Sequence, residues 1–253
     1  MDVPEPRRLE YTEALRRLRL MLGDLAEQTS KILLDATSAV TGQADTAGVH
    51  AAVACLRDCC QDLDEDLVLL LARQNPVAGD LHLVVAGLRT AAAVQRMAEL
   101  ADHVAATADL RAPTVVVPVG LRPTLSQLGR LCAEQASSLA TAICADDPAA
   151  AAWRVTVGDD PIDRIHRQLM AALTDPGWPH GIQQAVDLAL LSRYYERYAD
   201  QAVTAARQLV RLRWVPSVSD SLDDHDRPDG LDIADDPAGR TPAHLLPGGR
   251  PER

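Results

Sequence analysis

Residues 191–202 read Leu191-Ser192-Arg193-Tyr194-Tyr195-Glu196-Arg197-Tyr198-Ala199-Asp200-Gln201-Ala202, and this stretch decides the fold class. Neither Pro nor Gly interrupts it. It continues an apolar spacing of three and four through Leu188, Leu191, Tyr195, Tyr198 and Ala202. That period is the helical one and sets those side chains on one face, where a core would take them. A second stripe runs beside it through Ala185, Ala189, Ser192, Ala199 and Val203, and its residues are small. Glu196 and Asp200 lie four apart within it, so both carboxylates share a helix face.

The pattern occurs twice. About 101 positions earlier stands Gln95-Arg96-Met97-Ala98-Glu99, again inside a long helical period. Each copy sits in the third of three helical segments, and both third members follow a proline turn, Asn75-Pro76 and Trp178-Pro179. The first set covers about Arg7 to Thr41, Thr46 to Arg73, and the residues after Pro76 to Asp109. The second covers about Pro123 to Cys144, Asp147 to Thr174 and Pro179 to Trp214, its middle member kinked near Gly158 and Pro161. The first helix carries a heptad-like seam, Leu15, Leu18, Leu22, Leu25, Thr29, Ile32 and Ala36, and Gly42 ends it. The Val-rich run Thr114 to Val117, bracketed by Pro113 and Pro118, has no partner strand and reads as an extended connector. Long helices joined by short turns lie antiparallel. The expected fold is all-α: two tandem antiparallel three-helix bundles, residues 7–112 and 119–215, from a duplicated unit. Residues 216–253, rich in Asp, Pro and Gly with little periodicity, read as a disordered acidic tail.

Composition agrees. Of 253 residues 47% are hydrophobic, too many for a disordered chain, yet only 3% are aromatic, with no Phe. β-Sandwiches and barrels lean on aromatic and β-branched residues, whereas Ala and Leu dominate here and favour helix. A net charge of −11 excludes nucleic-acid wrapping and adhesion to anionic lipid. About half of it lies in the tail, with nine acids and four arginines from Pro216 to Arg253. The five cysteines are odd in number and form no CxxC pair; Cys55 and Cys59, four apart on one helix face, could hold a metal or a disulfide, but the plainer reading is small buried residues in a reducing cytosol. The opening MDVPEPRRLE lacks the apolar core of a signal peptide, and no stretch is long and uncharged enough to insert in a membrane. The expected location is cytoplasmic.

The chemistry, if any, belongs to carboxylates. Two acids converging on a small-residue stripe are costly to bury unless paired or bound to a cation. Hard cations such as magnesium, manganese or iron take such oxygen ligands. The plainer reading has Glu196 paired with Arg193 or Arg197 on a solvated face. In the third helix Gln95, Glu99 and Asp102 follow at i, i+4 and i+7, and His103 lies four after Glu99, placed either to ligate metal or to stand in solvent. Asp159, Asp160 and Asp163 form a third acidic cluster, with His166 three after Asp163. Di-iron bundles use two Glu-x-x-His motifs, and this chain has none. It also lacks a phosphate-cradling glycine loop, Gly-x-Ser-x-Gly and His-Glu-x-x-His. A carboxylate-metal hydrolase or oxidase therefore wants both ligands and a nucleophile. The expectation is a non-enzyme, either a helical protein whose acidic faces can hold metal or a metal-free helical scaffold.

The motifs also resemble a known family. Leu70-Leu71-Ala72-Arg73-Gln74-Asn75-Pro76-Val77-Ala78-Gly79-Asp80-Leu81 looks like the turn between the second and third helices of PhoU proteins. The stretch quoted first is similar to that family's signature of Glu, Arg, two variable residues and Asp. Gly158-Asp159-Asp160-Pro161-Ile162-Asp163 resembles the Asp-rich start of its fifth helix. The similarity covers about residues 8–215 and is nearest the actinobacterial branch. It implies two similar three-helix bundles and a cytoplasmic negative regulator of phosphate uptake and the phosphate starvation response. It implies action between the phosphate ABC transporter, through its ATPase, and a membrane sensor histidine kinase, and it implies a homodimer. It also implies metal, iron or zinc among others, at the paired acidic motifs. Carried over, Glu196 and Asp200 match the second motif. Glu99 stands at the Asp position of the first, Asp102 matches a further acid one turn on, and Gln95 replaces an anionic ligand.

Overall fold

The computed structural model describes residues 6–74, 79–156 and 160–211. Seven α-helices account for nearly all of them: α1 (Pro6–Val40), α2 (Ala47–Gln74), α3 (Gly79–Arg111), α4 (Arg122–Cys144), α5 (Pro148–Thr156), α6 (Asp160–Leu173) and α7 (Ile182–Arg211). A short 3₁₀ turn at Val119–Leu121 leads into α4, and there is no strand among the described residues.

Most expected boundaries hold, and their causes are local. Gly42 takes φ of +79°, a left-handed conformation that suits glycine. The Gln43 amide then donates back to the Ser38 carbonyl at 2.8 Å and closes α1. α5 and α6 stand where the fifth helical segment is expected, and residues 157–159 between them lie outside the described residues. Pro161 lies in the first turn of α6, where its missing N–H costs nothing. The Asn75-Pro76 turn, Asp159 and the acidic tail lie outside the described residues.

The helices pack as a ring of four with flanks. α1 packs on α4, α4 on α7, α7 on α3 and α3 on α1, while α2 covers α1 and α3, and α5 with α6 covers α4 and α7. The two halves of the sequence therefore share one core. Six of the seven positions in the α1 seam are buried, from Leu18 to Ala36. So are Leu188, Leu191, Tyr195, Tyr198 and Ala202 of α7. Val116 and Val117 of the connector are buried too, which explains an apolar run outside any helix.

Small residues set the spacing where the halves meet. A Cβ on Gly129 would stand 2.5 Å from Thr37 Oγ1, so α4 approaches α1 closely there. Thr37 also donates to the Leu33 carbonyl at 2.7 Å and meets the Tyr195 hydroxyl at 2.8 Å. Tyr198 donates to Thr29 Oγ1 at 3.0 Å. Burial pushes both tyrosine hydroxyls well above their ordinary pKa, so they stay protonated and act as donors.

Candidate functional site

α3 and α7 run antiparallel, and three side-chain contacts fix their register. Arg111 meets Asp187, the His103 ring stacks on Tyr194 with centroids 5.3 Å apart, and Arg89 donates to Gln208. The two acidic motifs therefore lie at similar heights on neighbouring helices.

The α7 motif is half-buried. Glu196 keeps 19% of its side-chain surface and forms an ion pair with Arg193, one turn earlier. That pair takes only Oε1. The other oxygen, Oε2, is buried and has no hydrogen-bond partner. An ionised carboxylate oxygen in that state is costly, and a bound cation would relieve it. Asp200, one turn on, is exposed. Of the Glu196 carboxylate, Oε2 is thus the oxygen left over that a hard cation could take.

The α3 motif is differently occupied. Glu99 accepts from Arg96 at 2.8 Å through Oε2 and from the Gln95 amide at 3.3 Å through Oε1. The Arg96 bond is the main cause holding its carboxyl below the ordinary range. Both oxygens are thus taken, and Gln95 supplies a donor where a metal would want an anion. His103 is exposed and stacks rather than turning to Glu99.

Asp102 faces α2. His50 Nδ1 lies 2.6 Å from Asp102 Oδ1, and its Nε2 lies 2.7 Å from Asp109 Oδ2. Carboxylates only accept, so both ring nitrogens must donate, and the imidazole is the charged form. Its pKa is raised, chiefly by the hydrogen bonds to Asp102 and then Asp109. The Thr46 hydroxyl donates to Asp109 Oδ1 at 2.5 Å and, as the leading cause, lowers that carboxyl. This clamp ties the start of α2 to the end of α3.

In α6, Asp160 and Asp163 are exposed. His166 is turned from Asp163 toward α7, its Nδ1 2.8 Å from the buried Ser192 hydroxyl. Among the described residues no three His, Cys, Asp or Glu side chains converge as a ready-made metal cage. None of the described helices is long and apolar enough to cross a membrane.

Sequence reasoning passed over His50 and Asp109. Nothing local marks them, because their partners lie 52 and 59 positions away.

Comparison with known proteins completes the description. Residues 125–209 match the PhoU domain family model. The chain is 36% identical over 201 residues to the phosphate-specific transport system accessory protein PhoU homolog 1 of Mycobacterium leprae, covering 79% of this chain and 88% of that protein. It is 35% identical over 210 residues to PhoU homolog 2 of Mycobacterium tuberculosis, covering 80% and 96%. Among solved structures, PhoU from Pseudomonas aeruginosa superposes with a TM-score of 0.65 at 21% identity, covering 81% of this chain and 98% of that one. The phosphate transport system regulatory protein PhoU from Streptococcus pneumoniae gives 0.67 at 20%, covering 81% and 96%. These two speak to the fold alone.

Proposed function

The chain belongs to the PhoU family, and from that premise we propose that it is an accessory regulator of phosphate transport. The observation that carries this reading is the identity of 36% to a phosphate-specific transport accessory protein along 88% of that protein's length. The reading in full is a non-enzymatic adaptor in the cytoplasm. It links the ATPase of a phosphate ABC transporter to a sensor histidine kinase, works as a homodimer, and restrains phosphate uptake and the starvation response while phosphate is plentiful. Without catalysis, such signalling is a binding equilibrium, biased by the difference in contacts each partner makes with two states of the adaptor.

Within that reading the α7 motif is the metal-capable face. Glu196 would hold an iron, zinc, manganese or magnesium ion through Oε2, with Asp200 as the second carboxylate, and the cation would neutralise the paired charge. The α3 motif serves instead as a salt-bridged strut, because Arg96, Gln95 and His50 already occupy Glu99 and Asp102.

The test is a deletion strain grown in abundant phosphate. Phosphate-starvation genes are expected to switch on there and to fall silent when the full chain is restored. Genes that stay silent in the deletion strain would sink the regulatory reading.

A further inference from the structure

The core face of α2 is Val49, Val53, Leu56, Cys60, Leu63 and Leu67, all buried. Beside it runs a stripe that none of the roles above uses: Cys55, Asp58, Cys59 and Asp62, at i, i+3, i+4 and i+7. At 3.6 residues per turn these four lie within an arc of about 100°. Cys59 is half-buried at the inner edge of the stripe, and the other three are exposed. The Cys55 and Cys59 thiols, one turn apart, are in hydrogen-bonding contact, and both are free of disulfide. The remaining cysteines are solitary or shut in. Cys60 and Cys132 are buried, and Cys144 packs close to Gly23 of α1.

Two sulfurs in contact are already spaced for one metal ion. With metal–sulfur bonds of about 2.3 Å, tetrahedral zinc holds two thiolates about 3.8 Å apart, close to the separation of touching sulfurs. The surroundings decide which chemistry suits the pair. Burial first, then Cys55, then Asp62 and Asp58, raise the pKa of Cys59. An oxidant-sensing cysteine needs the opposite shift, toward thiolate. A metal ion displaces the protons itself, so a raised pKa weakens its binding without preventing it.

Charge then selects the ion. Two thiols that give up two protons to a divalent cation leave the net charge of the stripe unchanged. A monovalent cation would leave one more negative charge beside Asp58 and Asp62, and they resist it. Among the described residues no Arg, Lys or His pairs with either carboxylate, so each can draw a dication or supply it an oxygen. Sulfur prefers soft and borderline ions over the hard ones that a lone carboxylate suits.

We propose that Cys55 and Cys59 together bind a thiophilic divalent cation of the zinc class on the outer face of α2. Each thiol loses its proton to solvent and forms one metal–sulfur bond, and water with Asp58 or Asp62 completes the shell. An ion held by two protein sulfurs rather than four stays exchangeable. It also clips one turn of the helix that covers α1 and α3. The site stands apart from the adaptor role and from Glu196 and Asp200.

Cadmium is the probe, because its bonds to thiolate absorb in the ultraviolet and its bonds to carboxylate do not. The full chain, kept reduced by a phosphine, is titrated with cadmium chloride. The thiolate band is expected to saturate at one ion per chain with about two protons released for each ion, and excess zinc should remove it. Cys55→Ser, an exposed change, should weaken binding by more than the roughly 10–100-fold that follows loss of a group merely supporting a ligand. Asp58→Asn with Asp62→Asn should weaken it a few fold, and less so in high salt. Cys144→Ser should keep the band, and so should Glu196→Gln with Asp200→Asn, which separates this site from α7. The proposal is overturned if no thiolate band forms by about 1 mM cadmium. It is equally overturned if Cys55→Ser keeps the wild-type affinity, or if one ion saturates two chains, which would make it a bridge between copies.

Discussion

The hydroxyls of Tyr195 and Thr37 meet at 2.8 Å in the core, although 158 positions separate them. With Tyr198 and Thr29, 169 positions apart, they pin the last helix to the first. In each pair the threonine hydroxyl donates to its own helix, to Leu33 and Ala26 respectively, so the tyrosine is the donor across the gap. Replacing either tyrosine by Phe removes one buried donor and strands only a lone pair. Tyr195→Phe and Tyr198→Phe should each cost about 1 kcal/mol in denaturant unfolding.

Gly129→Ala should cost more than either. The new methyl would meet Thr37 Oγ1 at 2.5 Å and Cγ2 at 2.8 Å. Thr37 is β-branched and hydrogen-bonded twice, so it cannot swing away freely. Overpacking of this kind costs roughly 1–3 kcal/mol, read as a lowered urea midpoint with an unchanged slope. Gly23→Ala is the contrast, since the methyl would meet the single Sγ of Cys144, which rotates aside.

Arg111 and Asp187 make a two-pronged pair at 2.7 and 2.9 Å, and Gln183 adds a third bond to the carboxylate. Asp187 keeps only 5% of its side-chain surface. Arg111→Ala therefore strands a buried carboxylate, and a double variant adding Asp187→Ala should recover stability relative to it. A double variant less stable than Arg111→Ala in the same cycle would contradict the assignment.

The His50 clamp gives the fold a pH signature. Its pKa is raised in the folded state, so its stabilisation is complete below the unfolded value of about 6.5 and is lost as pH rises through the folded value. Asp109 is lowered, so its share is present above its unfolded value and lost as pH falls through the folded one. Urea midpoints of the wild type minus those of His50→Gln, followed from about pH 5 to pH 9, should shrink toward the alkaline end. A difference that stays flat would mean the imidazole carries no charge in the clamp.

Metal should follow α7 rather than α3. Glu196→Gln with Asp200→Asn should lower the metal per chain found by elemental analysis, whereas Glu99→Gln should leave it unchanged. Unaltered metal in the first variant would remove Glu196 Oε2 as a ligand.

The sequence made the helices, their order and their buried faces legible because helical period is local. The seam from Leu18 to Ala36 and the face from Leu188 to Ala202 are buried as their spacing requires. It also marked Glu196 and left open whether Arg193 would pair with it, as it does. Partners across helices were not legible. A period names a face, not what that face meets, so His50 with Asp102, Arg111 with Asp187 and Tyr195 with Thr37 had no local trace. The unequal surroundings of the acidic motifs had one trace, Gln95 in place of an acid, and its amide does meet Glu99, whereas the pairing of Asp102 with His50 had none.

The ring of four helices has a consequence for synthesis. α1 leaves the ribosome first, but the face that meets α4 and α7 has no cover until residues beyond 120 follow, and Thr37 waits for Tyr195 across 158 positions. At ordinary translation rates that delay is on the order of ten seconds. During it the α1 face that holds Gly23, Thr29 and Thr37 stands uncovered by α4 and α7, so the nascent first half exposes a surface that the finished fold buries.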